Sequence, residues 1–143
     1  MHRYASVLLI DDSPGERELF RQALLRTGLE VVLYLHQDGE AALHFLKHRS
    51  EVPAFILLDW HLHHARGDAF LKRLRAEPQS ARIPVIAFTT SDNVADLSAA
   101  YANGVNGYVV KPETFEDLVR CVEDICRYWL IRNRTSYFVE TTC

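Results

Sequence analysis

The chain has 143 residues, 48% of them hydrophobic and 24% charged, with a formal net charge of −3. That length is one domain with one core, and the composition excludes disorder, collagen-like repeats and a disulfide-stapled miniature. The 16 Lys and Arg are scattered along the chain, so no basic stripe is offered to nucleic acid or to an anionic membrane. No apolar run approaches the ~20 residues of a bilayer span. The first residues lack the charged-then-apolar build of a secretory signal, and the chain therefore reads as a cytoplasmic protein. Cys121, Cys126 and Cys143 are an odd count without paired metal spacing, which fits reduced thiols rather than a disulfide framework. Cys121 and Cys126 fall on different faces of a helix and read as packing residues rather than a redox pair.

In chain order, Ser6-Val-Leu-Leu-Ile10 is a continuous apolar run that ends abruptly on Asp11-Asp12, as a parallel strand covered on both faces should. Ser13-Pro-Gly-Glu16 then reads as a helix start, with a Ser cap, Pro at the first helical position and Glu placed to close a capping box. That helix is expected to turn Leu19, Phe20, Ala23 and Leu24 inward and to stop near Gly28. Val31 to Leu35 reads as a second strand, and Asp38-Gly39 leads into a helix with Ala42, Leu43 and Leu46 as its apolar positions. Ala54 to Leu58 is a third strand, ending on Asp59. Trp60 then packs, because alternation points it away from Asp59. A helix from about Asp68 to Ala76 follows, and Pro84 opens a fourth strand, Val85 to Phe88, ending in Thr89-Thr90-Ser91. Asp92 is placed to cap the next helix, which runs to Gly104. Gly107-Tyr-Val-Val110 forms a fifth strand ending in Lys111-Pro112, and the last helix, from Thr114, carries Leu118, Val122, Ile125 and Trp129 on one stripe.

Strict alternation of strands and helices predicts an α/β fold, an open parallel sheet with helices on both faces, because a right-handed crossover is the usual way to join parallel strands. In such sheets ligands sit beyond the carboxyl ends of the strands, where strand order reverses. Every polar punctuation above falls at a carboxyl end, so Asp11, Asp12, Asp59, Thr89 and Lys111 are expected to converge on one rim. Three carboxylates held that close repel one another, and a bound divalent cation relieves the repulsion. Mg²⁺ fits, being hard, oxygen-seeking and commonly completed by a phosphate oxygen. A Lys and a Thr hydroxyl beside it suit a phosphoryl group, and an aspartate so placed can attack phosphorus to give an acyl phosphate.

The combination of Asp11-Asp12, Leu57-Leu-Asp59, Pro84-Val-Ile-Ala-Phe-Thr89 and Gly107-Tyr-Val-Val-Lys-Pro112 resembles the receiver domain of two-component response regulators over about residues 5 to 126. The resemblance implies a flavodoxin-like, doubly wound five-stranded sheet of order 2-1-3-4-5 with five helices. It also implies that Asp59 accepts phosphate from a histidine kinase and that Asp12, Asp59 and the backbone carbonyl of His61 bind Mg²⁺. Asp11 would act mostly through metal-bound water, and Thr89 and Lys111 would hold the phosphoryl oxygens. Tyr108 would be the aromatic that changes rotamer as Thr89 moves, remodelling the surface of helix 4, strand 5 and helix 5. Such a chain is a phosphoacceptor signalling protein rather than an enzyme. It is divided into a receiver at residues 1-131 and an extension at 132-143, with no separate effector domain.

Arg127-Tyr-Trp-Leu130 is similar to aromatic-rich ends of single-domain regulators that work with phytochrome-type kinases. There, such extensions help form homodimers, and Tyr137-Phe-Val139 lacks an obvious core to join. The other reading of Trp129 is that it seats the last helix on its own sheet. The loop after Asp59 departs from the family pattern, with His63 where Pro is common and Arg66 where Asp often precedes Gly67. Its His61, His63 and His64 raise a transition-metal reading that lacks a fourth ligand. A haloacid-dehalogenase-like phosphatase is the rival function, although its nucleophile belongs to an Asp-x-Asp motif on the first strand. A flavin or nucleotide binder is disfavoured by the acidic, glycine-poor loop Asp11 to Glu16. A receiver-shaped module that is never phosphorylated is disfavoured because no acidic or Lys position is missing.

Overall fold

Side chains alternate across a strand, so an unbroken apolar run is buried only if both faces of its sheet are covered. The computed structural model, which describes residues 5–49, 51–62 and 65–134, shows that arrangement. Counting only the strands of the main sheet, β1 is Ser6–Ile10, β2 Val32–His36, β3 Phe55–Leu58, β4 Val85–Thr89 and β5 Gly107–Val110. All pair in parallel in the order β2-β1-β3-β4-β5.

Val7, Leu9, Phe55, Leu57, Ile86 and Phe88 face one core, closed by helices α1 (Pro14–Thr27) and α5 (Phe115–Cys126). Leu8, Ile10, Ile56, Leu58, Val85 and Ala87 face the other, closed by α2 (Gly39–Lys47), α3 (Gly67–Ala76) and α4 (Val94–Ala102). The chain therefore winds to one side of β1 through β2 and to the other through β3, and the order reverses between β1 and β3. Asp11-Asp12 and Asp59 follow those two strands. A two-residue antiparallel ribbon, His61–Leu62 against Ala65–Arg66, forms just beyond β3.

The expected boundaries differ in instructive places. The second strand is displaced by one residue from the expected Val31–Leu35, because the His36 carbonyl still accepts the Asp11 N–H at 3.0 Å. Helix α1 is capped by Ser13, whose hydroxyl accepts the Glu16 N–H at 3.2 Å, and it stops at Gly28 with φ 74°, a left-handed turn that glycine enters without steric cost. The other half of the capping box is not made. Asp11 Oδ1 takes the Ser13 N–H at 3.0 Å, a local side-chain turn available only because the strand ends on an acid. Glu16 is thereby left to approach Lys111, at 3.7 Å.

Leu19 was expected inside but is 43% exposed; with Phe115 and Leu118 it lines a recess of about 120 Å³ between α1 and the entry to α5. Helix α4 is capped by Asn93 rather than Asp92, the Asn93 Oδ1 accepting the N–H groups of Ala95 and Asp96 at 2.8 and 3.2 Å.

At the far end, α5 continues as a π-helical turn, Arg127–Arg132. Trp129 packs into the α1/α5 core beside Phe55, ring centroids 6.4 Å apart, so it seats the last helix on its own sheet. Cys126 is buried and burial pushes its thiol up to about 12. Cys121 packs against the same core, and burial followed by the Asp124 charge raises its thiol as well. Both are free cysteines. His63, His64, Tyr137-Phe-Val139 and Cys143 lie outside the described residues.

Candidate functional site at the carboxyl edge of the sheet

Backbone pairing carries the acids past the strand ends in register. The Asp11 N–H donates to the His36 carbonyl at 3.0 Å and the Asp59 N–H to the Ile10 carbonyl at 2.9 Å. Across the sheet, the Lys111 N–H donates to the Thr89 carbonyl at 2.7 Å. Carboxylate oxygens of Asp11, Asp12 and Asp59 lie within 4.8 Å of one another. At an effective dielectric of about 20, two unit charges that far apart repel by roughly 3 kcal/mol. The group therefore wants positive charge.

Lys111 supplies part of it. Its Nζ is 2.7 Å from Asp11 Oδ2, and the two side chains are 9% and 2% exposed. The same ammonium lies 5.7 Å from the Phe88 ring centroid, a favourable place for a cation. Asp11 is held at three further points: by the Ser13 N–H on its side chain, by its own N–H on β2, and by Arg17, whose guanidinium donates to its carbonyl at 2.7 Å.

Asp59 is in a different situation. Burial pushes its carboxyl above the ordinary range, the Lys111 charge works against that shift, and Asp11 and Asp12 add to it. Among the described residues it accepts a hydrogen bond from the His61 N–H, 3.2 Å from Oδ1. A desolvated carboxylate facing two others has the chemistry of a hard-cation ligand and of an oxygen nucleophile. The three acids thus form a divalent-cation site.

The loop beyond Asp59 is shaped by packing. Trp60 is fully buried, as alternation requires, and Gly67 donates its N–H back to the Trp60 carbonyl at 3.0 Å. A Cβ on Gly67 would stand 2.8 Å from Leu58 and 2.9 Å from Trp60, so only glycine lets α3 begin this close to the acceptor strand.

Thr89, 1% exposed, ends β4 with its hydroxyl accepting the Ser91 N–H at 3.4 Å. Tyr108 is half-buried on the edge strand, and its hydroxyl donates to the Ser91 carbonyl at 2.8 Å. Burial raises that phenol, with the Ser91 side chain opposing the shift. All the residues expected at the rim are therefore at the carboxyl edge. Sequence reasoning missed Ser91, Asp96 and Gly67. Ser91 stands two residues after Thr89 and Gly67 opens a helix after the acidic strand, which were the available signals. Asp96 gave only the generic signal of an acid in a helix's first turn.

A sequence model of the response regulator receiver domain matches residues 7–123. The chain belongs to that family. It is 38% identical over 133 residues to the probable methanogenesis regulatory protein FilR2 of Methanothrix harundinacea, covering 90% of this chain and 86% of FilR2. It superposes with a TM-score of 0.84 on the phosphorylated cyanobacterial phytochrome response regulator RcpA, at 26% identity over 94% of this chain and 99% of that one. Against the Mn²⁺-bound form of response regulator Rcp1 the TM-score is 0.78, with 32% identity and coverage of 92% and 98%.

The regulator is thus a receiver-domain signalling protein close to the phytochrome-associated subgroup, and neither fold nor family points to a haloacid-dehalogenase-like phosphatase. A histidine kinase is the partner class of such a receiver. No helix among the described residues is long and apolar enough to cross a membrane.

Proposed function

We propose that the regulator accepts a phosphoryl group on Asp59 and relays it as a change in its α4–β5–α5 surface. The observation that carries this reading is the meeting of Asp11, Asp12 and Asp59 within 4.8 Å at the point where strand order reverses. Asp12 and Asp59, with the carbonyl of His61, would hold Mg²⁺, and Asp11 would contribute through a metal-bound water. When bound, the ion neutralises charge between the carboxylates and the incoming phosphoryl oxygens.

A carboxylate oxygen of Asp59 attacks phosphorus, the new O–P bond forms as the N–P bond to the kinase histidine breaks, and the imidazole leaves with the electron pair and takes up a proton. Lys111 is drawn from Asp11 toward a phosphoryl oxygen, and the Thr89 hydroxyl donates to another. Because Ser91 follows Thr89 and carries the Tyr108 hydroxyl, movement of Thr89 is passed to β5 and α4 as a population shift.

The likeness to the phytochrome response regulator RcpA supports a phytochrome-type histidine kinase as the donor, and a partner of that class places the regulator in the cytoplasm. Residues 1–131 then act as the receiver. Residues 132–143 serve as an extension for a homodimer built on α5, next to the exposed Tyr128 and Ile131.

Incubation with a small acyl phosphate and Mg²⁺, followed by intact mass measurement, tests the reading. One base-labile phosphoryl adduct is expected, lost with EDTA or with Asp59→Asn. An adduct that survives Asp59→Asn overturns the assignment.

A further inference from the structure

Resting on the phosphoacceptor reading, a second polar system joins the loop after Asp59 to helix α4. Asp96 Oδ2 lies 2.7 Å from His61 Nε2 and 2.6 Å from Ser91 Oγ. A carboxylate only accepts, so the His61 ring presents Nε2–H and Ser91 its hydroxyl. The Asp96 side chain is 12% exposed and the His61 side chain 49%. A nearly buried carboxylate is stable only when well supplied with donors, and charge-assisted bonds of this kind are the stronger ones. The half-exposed imidazole has less packing to fix its rotamer, which gives that hydrogen bond the larger share in fixing it. The main chain of His61 meanwhile donates to Asp59 Oδ1, and on the phosphoacceptor reading its carbonyl would serve the cation. On the other side, the Ser91 carbonyl accepts the Tyr108 hydroxyl.

We propose that Asp96 is a positioning residue for the phosphoryl chemistry: through the His61 ring it holds the main chain of residue 61 in the conformation that serves both Asp59 and the divalent cation. It does not touch the reacting atoms. Two hydrogen bonds and the single residue His61 separate it from Asp59, although it lies 35 residues further along the chain than His61. Because the same carboxylate grips Ser91, a displacement of α4 that moves Asp96 must loosen residue 61. Linkage then makes the effect reciprocal: cation binding favours the α4 position in which the Asp96–His61 bond is closed, by the same factor. If Asp96 merely complemented the dipole of α4, changes at His61 would not reproduce its effect.

The test is a Mg²⁺ titration of the full chain, read by tryptophan fluorescence and checked by competition with Mn²⁺ in electron paramagnetic resonance. Asp96→Ala and His61→Ala are each expected to raise the Mg²⁺ dissociation constant about tenfold, the lower end of what outer-shell changes cost a metal site. The double variant is expected to stay within about twofold of either single, as two ends of one link should. Asp96→Asn keeps the acceptor without the charge, and His61→Gln keeps a donor, so both are expected within about threefold of the parent, on the same linkage argument.

Single alanine variants indistinguishable from the parent overturn the proposal, and so do effects that multiply in the double variant or a failure of Asn and Gln to restore affinity. His61→Ala, on an exposed side chain, carries the test even if Asp96→Ala fails to fold. Acyl phosphate labelling is run alongside. Labelling that persists in Asp59→Asn overturns the underlying reading, whereas normal labelling with unresponsive Mg²⁺ constants overturns only the positioning role.

Discussion

On the α1/α5 side of the acidic mouth, Asp11 is 2% exposed and closes a 2.7 Å ion pair with Lys111. On the α4 side, Asp59 accepts from the His61 main chain, and beyond it run His61, Asp96, Ser91 and Tyr108 in one hydrogen-bonded series. The first side is held by compensated charge in a dry place, and the second by neutral and charge-assisted hydrogen bonds that end on the edge strand. A buried ion pair is expensive to break but has few alternative arrangements, whereas a half-exposed hydrogen-bonded series can rearrange at modest cost. The difference assigns resting-state stability to the Lys111 side, whose ammonium is released only to a phosphoryl oxygen, and the relay to α4 to the His61 side.

The largest effect expected from this contrast is that of Lys111→Met, which leaves Asp11 buried without its partner. It should lower the unfolding free energy by about 3 kcal/mol or more, read by urea denaturation. His61→Ala on the other side, where Ser91 still donates to Asp96, should cost about 1 kcal/mol, and equal losses at the two positions would remove the distinction. Next in size is Gly67→Ala. Its Cβ would meet Leu58 and Trp60 at under 3.0 Å, and overpacking of that kind costs about 1–3 kcal/mol. Because Gly67 shapes the acceptor loop, the same variant should also slow labelling by a small acyl phosphate.

Tyr108→Phe removes a single hydrogen bond to the Ser91 carbonyl and should cost about 1 kcal/mol. It should leave Mg²⁺ affinity within twofold while altering the phosphorylation-dependent chemical shifts of α4.

The smallest effect is a pH dependence. Burial raises the Asp59 carboxyl above its ordinary value of 3.8, so the folded chain binds that proton more tightly than the unfolded chain does. The stability this contributes is complete below pH 3.8 and is lost as pH rises through the folded value. At neutral pH in EDTA, Asp59→Asn should therefore raise the thermal midpoint, and the gain should shrink as pH falls toward 4. A gain independent of pH would show that Asp59 is not desolvated.

Much of the mouth was legible in the sequence because its ingredients sit at strand ends. A continuous apolar run that stops at a carboxylate states both the strand and the place where burial ends, and strand-helix alternation brings Asp11, Asp59 and Lys111 to one edge without further information. What was not legible depended on competition between nearby groups or on packing between distant ones. Ser13 could have closed its capping box with Glu16, but Asp11 reached the Ser13 N–H first. Asp92 and Asn93 are both good helix caps, and the backbone path out of β4 gave the position to Asn93. Leu19 has the right spacing for burial, yet the recess beside Phe115 leaves it partly in water. The His61–Asp96 bond required a loop whose path is set by Gly67 against Trp60, a contact that helical or strand periodicity does not encode.

Reductive trapping of the acyl phosphate, followed by tandem mass spectrometry of the digested chain, addresses the account most directly because it identifies the modified side chain itself. The expected result is a single reduced site at residue 59, formed only when Mg²⁺ is present. Trapping at Asp11, Asp12 or any residue away from the mouth, or equal trapping at residue 59 in EDTA, would contradict it.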